Sequence, residues 1–259
     1  MLIMVAFMTV AWADDILRNA ENAEALVVNQ AEKLAKRYRP QLRFANLKWI
    51  DSEVAGILAK FKGNALVFES LTTLDPGAAN ALSHFRGNLF LDGLTTLDGE
   101  AAKGLARFRG SLYLNGLSEL SDEAAESLSE VDGSLYLNGL KSLSANSAKS
   151  LTKWRRPDAT LSLNGLKVLS GGAAEGLAGW KGGSLYLDGV ETLNADAARA
   201  IGGASFRTLY LQGVTTLDAD AAQAIAAFKG GYLLLNHANG LSGPAARELG
   251  RNPRIFFPK

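Results

Sequence analysis

The sequence predicts an α/β solenoid, a stack of strand, turn and helix units covered at its amino end by a helix. Three observations predict it. The pattern L-x-L-x-G-L-x-x-L-x-x-x-A-A-x-x-L-x-x-F-x-G returns from Leu42 to the carboxyl end at intervals of about 23–26 residues. Each copy passes from apolar residues at period two to apolar residues at helical spacing. The 259 residues are 47% apolar and 20% charged, a globular composition.

The amino terminus reads as a targeting segment. Residues 2–11, LIMVAFMTVA, are apolar and uncharged, and Ala11-Trp12-Ala13 supplies a small-x-small site. Residues 1–13 are thus expected to be a secretory signal; the competing reading is a buried amino-terminal segment. Such a run is too short to span a bilayer, which needs roughly 20 residues. A capping helix is expected over 14–41. From Asp14 to Tyr38, Ile16, Ala20, Ala23, Val27, Ala31, Leu34 and Tyr38 recur at steps of three and four. Asp14 and Asp15 suit its positive end, Lys33, Lys36, Arg37 and Arg39 its negative end, and Pro40 its stop. A stacked array needs such a cover for its first open face.

The array itself is expected over 42–259, as nine repeats and a terminal strand. The first leucines are Leu42, Leu66, Leu89, Leu112, Leu135, Leu161, Leu185, Leu209 and Leu233, and a tenth copy begins at Ile255-Phe256-Phe257. L-x-L is a short strand with both apolar residues inward. The glycine after it, as in Gly93, Gly116 and Gly139, permits a tight turn. Asp51, Asp75, Asp98, Ser121, Ser144, Ser170, Asn194, Asp218 and Ser242 stand where a helix would be capped. Paired alanines and a Leu or Ile then form one apolar stripe. Phe61, Phe85, Phe108, Trp154, Trp180 and Phe228 close the core. The glycines Gly63, Gly87, Gly110 and Gly230 are expected to end helices with positive φ.

On these residues the chain resembles the leucine-rich-repeat family, in a short bacterial class of roughly 23 residues per repeat. The resemblance covers about Leu42 to Lys259. It implies a parallel sheet on one face and short helices on the other. It also implies binding of a protein or a cell-surface polymer, and no catalysis. The chain departs from the common family pattern where that pattern carries an asparagine ladder: Leu94, Leu117 and Val190 stand there instead.

The residues flanking the inward leucines form columns along the strand face. A middle column includes Phe90, Tyr113, Tyr136, Ser162, Tyr186 and Tyr210, with Ser162 breaking the run of rings. The next column holds Asp92, Asn115, Asn138, Asn164, Asp188 and Gln212. Rigid rings beside amides and carboxylates suit recognition. Apart from Ser162, these are the candidate ligand-binding residues, for a protein, peptide or glycan. Strand propensity and cross-strand stacking are the competing account of the same residues. A second column, Lys62, Arg86, Arg109, Arg155, Lys181, Arg207 and Lys229, is explained by cations favouring helix carboxyl ends.

No cysteine is present and the histidines are His84 and His237, so no catalytic site, metal site or cofactor is expected. No G-x-x-x-x-G-K-[ST] occurs, and Asp218 with Asp220 lacks the rest of a calcium loop. A net charge of +1 argues against nucleic acid, and no stable membrane insertion is expected. The reading is an exported, non-catalytic binding module, secreted, periplasmic or on the cell envelope. The alternative is a structural envelope component that self-associates through the open strand at Ile255–Phe257.

Overall fold

The computed structural model describes residues 23–153, 157–235 and 243–256. Within them, strands and helices alternate along the chain. The strands are β1 (Gln41–Phe44), β2 (Ala65–Phe68), β3 (Asn88–Phe90), β4 (Leu112–Tyr113), β5 (Leu135–Tyr136), β6 (Thr160–Ser162), β7 (Ser184–Tyr186), β8 (Thr208–Leu211), β9 (Tyr232–Leu235) and β10 (Ile255–Phe256). They form one sheet in sequence order. Every pairing is parallel, and the inward leucines of β1 to β9 face one another, as Leu42 with Leu66, Leu89 with Leu112, and Leu161 with Leu185, while Ile255 of β10 faces Leu233. A register slip would turn each inward leucine to solvent, so the period-two pattern pins the register.

A helix precedes β1 and one lies between each later pair of strands. They are α1 (Val28–Ala35), α2 (Ser52–Leu58), α3 (Pro76–Leu82), α4 (Gly99–Leu105), α5 (Asp122–Leu128), α6 (Ala145–Leu151), α7 (Gly171–Leu177), α8 (Ala195–Gly203), α9 (Ala219–Ala226) and α10 (Gly243–Gly250). Each helix packs on the next along the array. The core is one continuous cluster between sheet and helices. Leu112, Leu114, Leu117, Ala124, Ala125 and Leu128 of a single repeat are all fully buried within it. Leu120 is half-buried at its margin.

The expected caps are in place. Asp51 accepts from the Val54 N–H, Asp98 from Ala101, Ser121 from Ala124, Ser144 from Ser147, Ser170 from Ala173, Asn194 from Ala197 and Asp218 from Ala221. Asp75 accepts from both Gly77 and Ala78. Ser242 lies outside the described residues. Helices of about two turns are too short to hold themselves, so these caps and tertiary packing carry them.

Two expectations are corrected. Among the described residues the expected first helix is limited to α1, Val28–Ala35, with Val27 and Tyr38 exposed. Only Ala31 and Leu34 of the expected stripe are buried there, together with Leu26. The helix stops at Lys36, before Pro40 acts. The expected signal, and residues 14–22 of the expected helix, lie outside the described residues. No described glycine has a positive φ. The glycines serve close approach instead. A Cβ at Gly87 would come within 3.0 Å of the Asn64 carbonyl, and one at Gly116 would press on the carbonyls of Asp92 and Leu94. Successive turns pass too near one another for any side chain.

The aromatic closers behave as expected where they are described. Phe85, Phe108 and Trp180 are fully buried, and Phe61 and Phe228 nearly so. Trp154 lies outside the described residues. Phe61 and Phe85 stack at 6.4 Å, and Phe44 and Phe68 at 5.1 Å, so two aromatic contacts join the first two repeats.

Candidate functional site

Parallel pairing places equivalent strand residues side by side at about 4.8 Å. The middle column of rings follows from that spacing. Phe90 stacks on Tyr113 at 4.0 Å with 10° between planes, and Tyr113 on Tyr136 at 4.2 Å and 3°. Tyr186 stacks on Tyr210 at 4.1 Å and 8°. All five rings are half-buried, with an edge or face left to solvent. The stacking withdraws the phenols from water. Burial, then neighbouring Tyr136, raises the Tyr113 pKa, and burial with a hydrogen bond to Tyr210 pushes Tyr186 up to about 12. Those two phenols are therefore neutral across the physiological range.

The column from Asp92 to Gln212 does something the sequence reading missed. Asp92 Oδ1 accepts from the backbone N–H of Asn115 at 3.0 Å. Asn115 Oδ1 accepts from the Asn138 N–H, and Asn138 Oδ1 from the Asn164 N–H, each at 3.0 Å. Asn164 Oδ1 accepts from the Asp188 N–H at 2.9 Å, and Asp188 Oδ1 from the Gln212 N–H at 3.0 Å. This is a side-chain ladder, one rung per repeat, that satisfies backbone donors just past each short strand. The expectation that the chain forgoes an asparagine ladder at Leu94, Leu117 and Val190 is met, but an equivalent ladder runs two residues earlier. The signal was present in the sequence: Asp and Asn share a short-stemmed acceptor oxygen and alternate freely at this position.

The candidate residues thus divide into two kinds. Phe90, Tyr113, Tyr136, Tyr186 and Tyr210 offer ring surface. Asp92, Asn115, Asn138, Asn164 and Asp188 already give one oxygen to the fold. Asn115 Nδ2 is itself given to Asp92 Oδ1 at 2.9 Å. Gln212 contributes its backbone N–H to the ladder. At the amino end the pattern changes: Arg43 and Glu69 form an ion pair across β1 and β2. At the other end Tyr232 meets Phe256 edge-on at 5.5 Å.

The basic column is partly neutralised. Arg109 lies 4.0 Å from Asp132 and Arg207 Nη1 2.9 Å from Asp158, while Arg155 lies outside the described residues. Arg207 also donates to the Pro157 carbonyl at 3.2 Å, tying down the far end of the one insertion. That insertion walls a pocket of about 390 Å³ with Ser111, Gly133, Ser134, Pro157, Asp158 and Ala159 along its lining.

Asp122 stands in the first turn of α5. It accepts from Ser144 Oγ at 2.6 Å, Ser147 Oγ at 2.6 Å and Asn146 Nδ2 at 3.0 Å. Those three bonds hold its pKa down to about 2. They also satisfy Ser147, a fully buried hydroxyl standing where other repeats have alanine. His84 Nδ1 lies 2.9 Å from the Asn80 carbonyl, and His237 lies outside the described residues. Among the described residues no group of three or more His, Cys, Asp or Glu side chains is placed to hold a metal ion. No helix among them is long and apolar enough to cross a membrane.

These features define a class: an α/β solenoid of leucine-rich-repeat type, with a ring column and an amide ladder on its strand face. No family model matches the sequence, and no curated protein does. Among solved structures the chain is similar to one in the Toll–Spatzle complex, a molecular hub in Drosophila development and innate immunity. Identity is 15% and the TM-score 0.48, over 74% of this chain and 26% of that one. This chain therefore spans about a quarter of that one's length. The strand order, register and repeat are what define the fold.

Proposed function

We propose that this chain is an exported, non-catalytic binding module of the short bacterial leucine-rich-repeat class, which grips a protein, peptide or glycan with its strand face. The observation that carries this reading is the ring column. Five half-buried aromatic rings stand on the strand face beside a column of amides and carboxylates. Rings held by stacking lose little entropy when a ligand covers them, and the ladder fixes the backbone beneath. The apolar run at 2–11 and the small-x-small site at 11–13 support export, to the cell surface, the periplasm or the medium.

The test replaces Tyr113, Tyr136, Tyr186 and Tyr210 with Ser and compares both proteins on peptide and glycan arrays, with circular dichroism as the control for folding. Loss of array binding in a folded variant is the expected result; equal binding refutes the reading. A second reading, self-association as an envelope component, is supported by β10, whose outer edge has no strand against it among the described residues. Light scattering across a concentration series separates the two, since edge pairing predicts growth in mass and ligand binding does not.

A further inference from the structure

The carboxyl ends of the first three helices share a trough. Three adjoining cavities open there, of about 400, 260 and 530 Å³, and Lys62 lines all of them. Arg37 and Tyr38 line the first and second, and Lys60 the first and third. The cavities are therefore parts of one depression. It runs from the end of α1, past the end of α2, to His84 and Arg86 after α3.

Its rim is cationic. Lys36, Lys60, Lys62 and Arg86 are exposed, and none of the four makes an ion pair among the described residues. Glu32 is the acid in the lining. The preference of cations for helix carboxyl ends explains one per repeat. It does not explain Lys60 and Lys62 together after α2, beside the run from Lys33 to Arg39. Farther along the array the same column is neutralised, Arg109 by Asp132 and Arg207 by Asp158. Like charges gathered without acids oppose the compact state, and an anionic partner relieves that repulsion.

The floor is apolar. Ala35, Ile57, Ala59, Phe61 and Ala81 line it between the cations. Gly56 keeps it open, since a Cβ there would meet only Ala81, at 3.9 Å. Lys and Arg offer donors and no acceptor, which matches carboxylates and not the mixed donors and acceptors of a sugar chain. Concave apolar cavities between the charges suit projecting side chains, where a bilayer surface would meet only the rim.

We propose that this trough docks a segment of a partner protein in which acidic and apolar side chains alternate. The carboxylates meet Lys36, Lys60, Lys62 and Arg86, and the apolar side chains enter the cavities between them. The trough shares no residue with the ring column, so the two surfaces are tested separately.

The test pans a displayed library of random peptides on the full chain. Enrichment of peptides that alternate Asp or Glu with Leu, Ile or Phe is expected, with binding that weakens as salt rises. Two variants probe the two halves of the site. Lys36→Gln with Lys60→Gln and Lys62→Gln removes rim charge without reversing it. Gly56→Leu fills the largest cavity from a position with space for a side chain. Circular dichroism checks that each is folded. Each is expected to weaken the enriched peptides at least tenfold, while the four-Ser variant of the ring column holds them unchanged. No acidic enrichment, or undiminished binding in either folded variant, overturns the proposal. Phosphatidylglycerol vesicles bound by the unsubstituted protein and released by the Gln variant, with no acidic peptide enriched, would assign the rim to a membrane and overturn it too.

Discussion

Asn138 is where the two uses of the strand face can be separated. Its Oδ1 accepts from the Asn164 N–H at 3.0 Å and from Ser162 Oγ at 2.7 Å. Replacing it with Ala removes both hydrogen bonds at once. The Asn164 donor is half-buried beneath the neighbouring turn, and the Ser162 hydroxyl is almost wholly screened. An unsatisfied buried donor costs about 1–3 kcal/mol. Partial water access to Asn164 and rotation of the Ser162 hydroxyl bring the pair to the low end, about 2 kcal/mol in all. For a chain of this size that is a fall in Tm of about 4–8 °C. Asn138→Asp keeps the acceptor, as Asp92 and Asp188 do at the same position. It should stay within about 0.5 kcal/mol of the unsubstituted protein. Thermal and denaturant unfolding measure both, and hydrogen exchange at Asn164 localises the effect. A loss below about 0.5 kcal/mol for Ala, or an equal loss for Asp and Ala, would refute the ladder as a support of the fold.

Four further outcomes follow from the packing and the charges. Gly139→Ala drives a Cβ into the backbone carbonyls of Asn115 and Leu117, which cannot give way, and should cost at least about 1–3 kcal/mol. Gly203→Ala, at the end of α8 with nothing within 4 Å of the added carbon, should stabilise by about 0.4–1 kcal/mol; paired denaturation curves check both signs. Phe108→Ala empties a fully buried site between α4 and β4 and should cost about 3–5 kcal/mol, read as a shift in denaturant midpoint. Asp122 has a folded pKa of about 2, below its ordinary 3.8, so its bonds stabilise the fold above that ordinary value. The contribution is lost as pH falls through about 2. The Tm gap between Asp122→Ala and the unsubstituted protein should therefore be flat near neutrality and close under acid; a gap that persists at the lowest pH at which both fold would contradict the assignment.

Much of this fold was legible in one repeat. Leu112 and Leu114 at period two, Ser121 as a cap and Ala124, Ala125 and Leu128 at helical spacing each state a local preference. All of them are met, because local preference and tertiary packing agree in a stack of like units. The ring column was legible too, since the outward residue between two inward leucines has one direction to point. The first helix was not. Its apolar spacing continues through Val27 and Tyr38, and nothing in that spacing shows that the first repeat covers only Ala31 and Leu34.

The sequence by itself determined the repeat, the register and the identity of the face that meets solvent, because period and burial are properties of a single chain segment and its copies. The tertiary structure decided what depends on the distance between copies. Glycines read as turn formers are there because adjacent turns nearly touch. The amide column read as free for a ligand is half committed to its neighbour's backbone. Ser162, a break in a pattern when written in one line, is a buried hydroxyl bonded to Asn138 once β5 and β7 stand on either side of it.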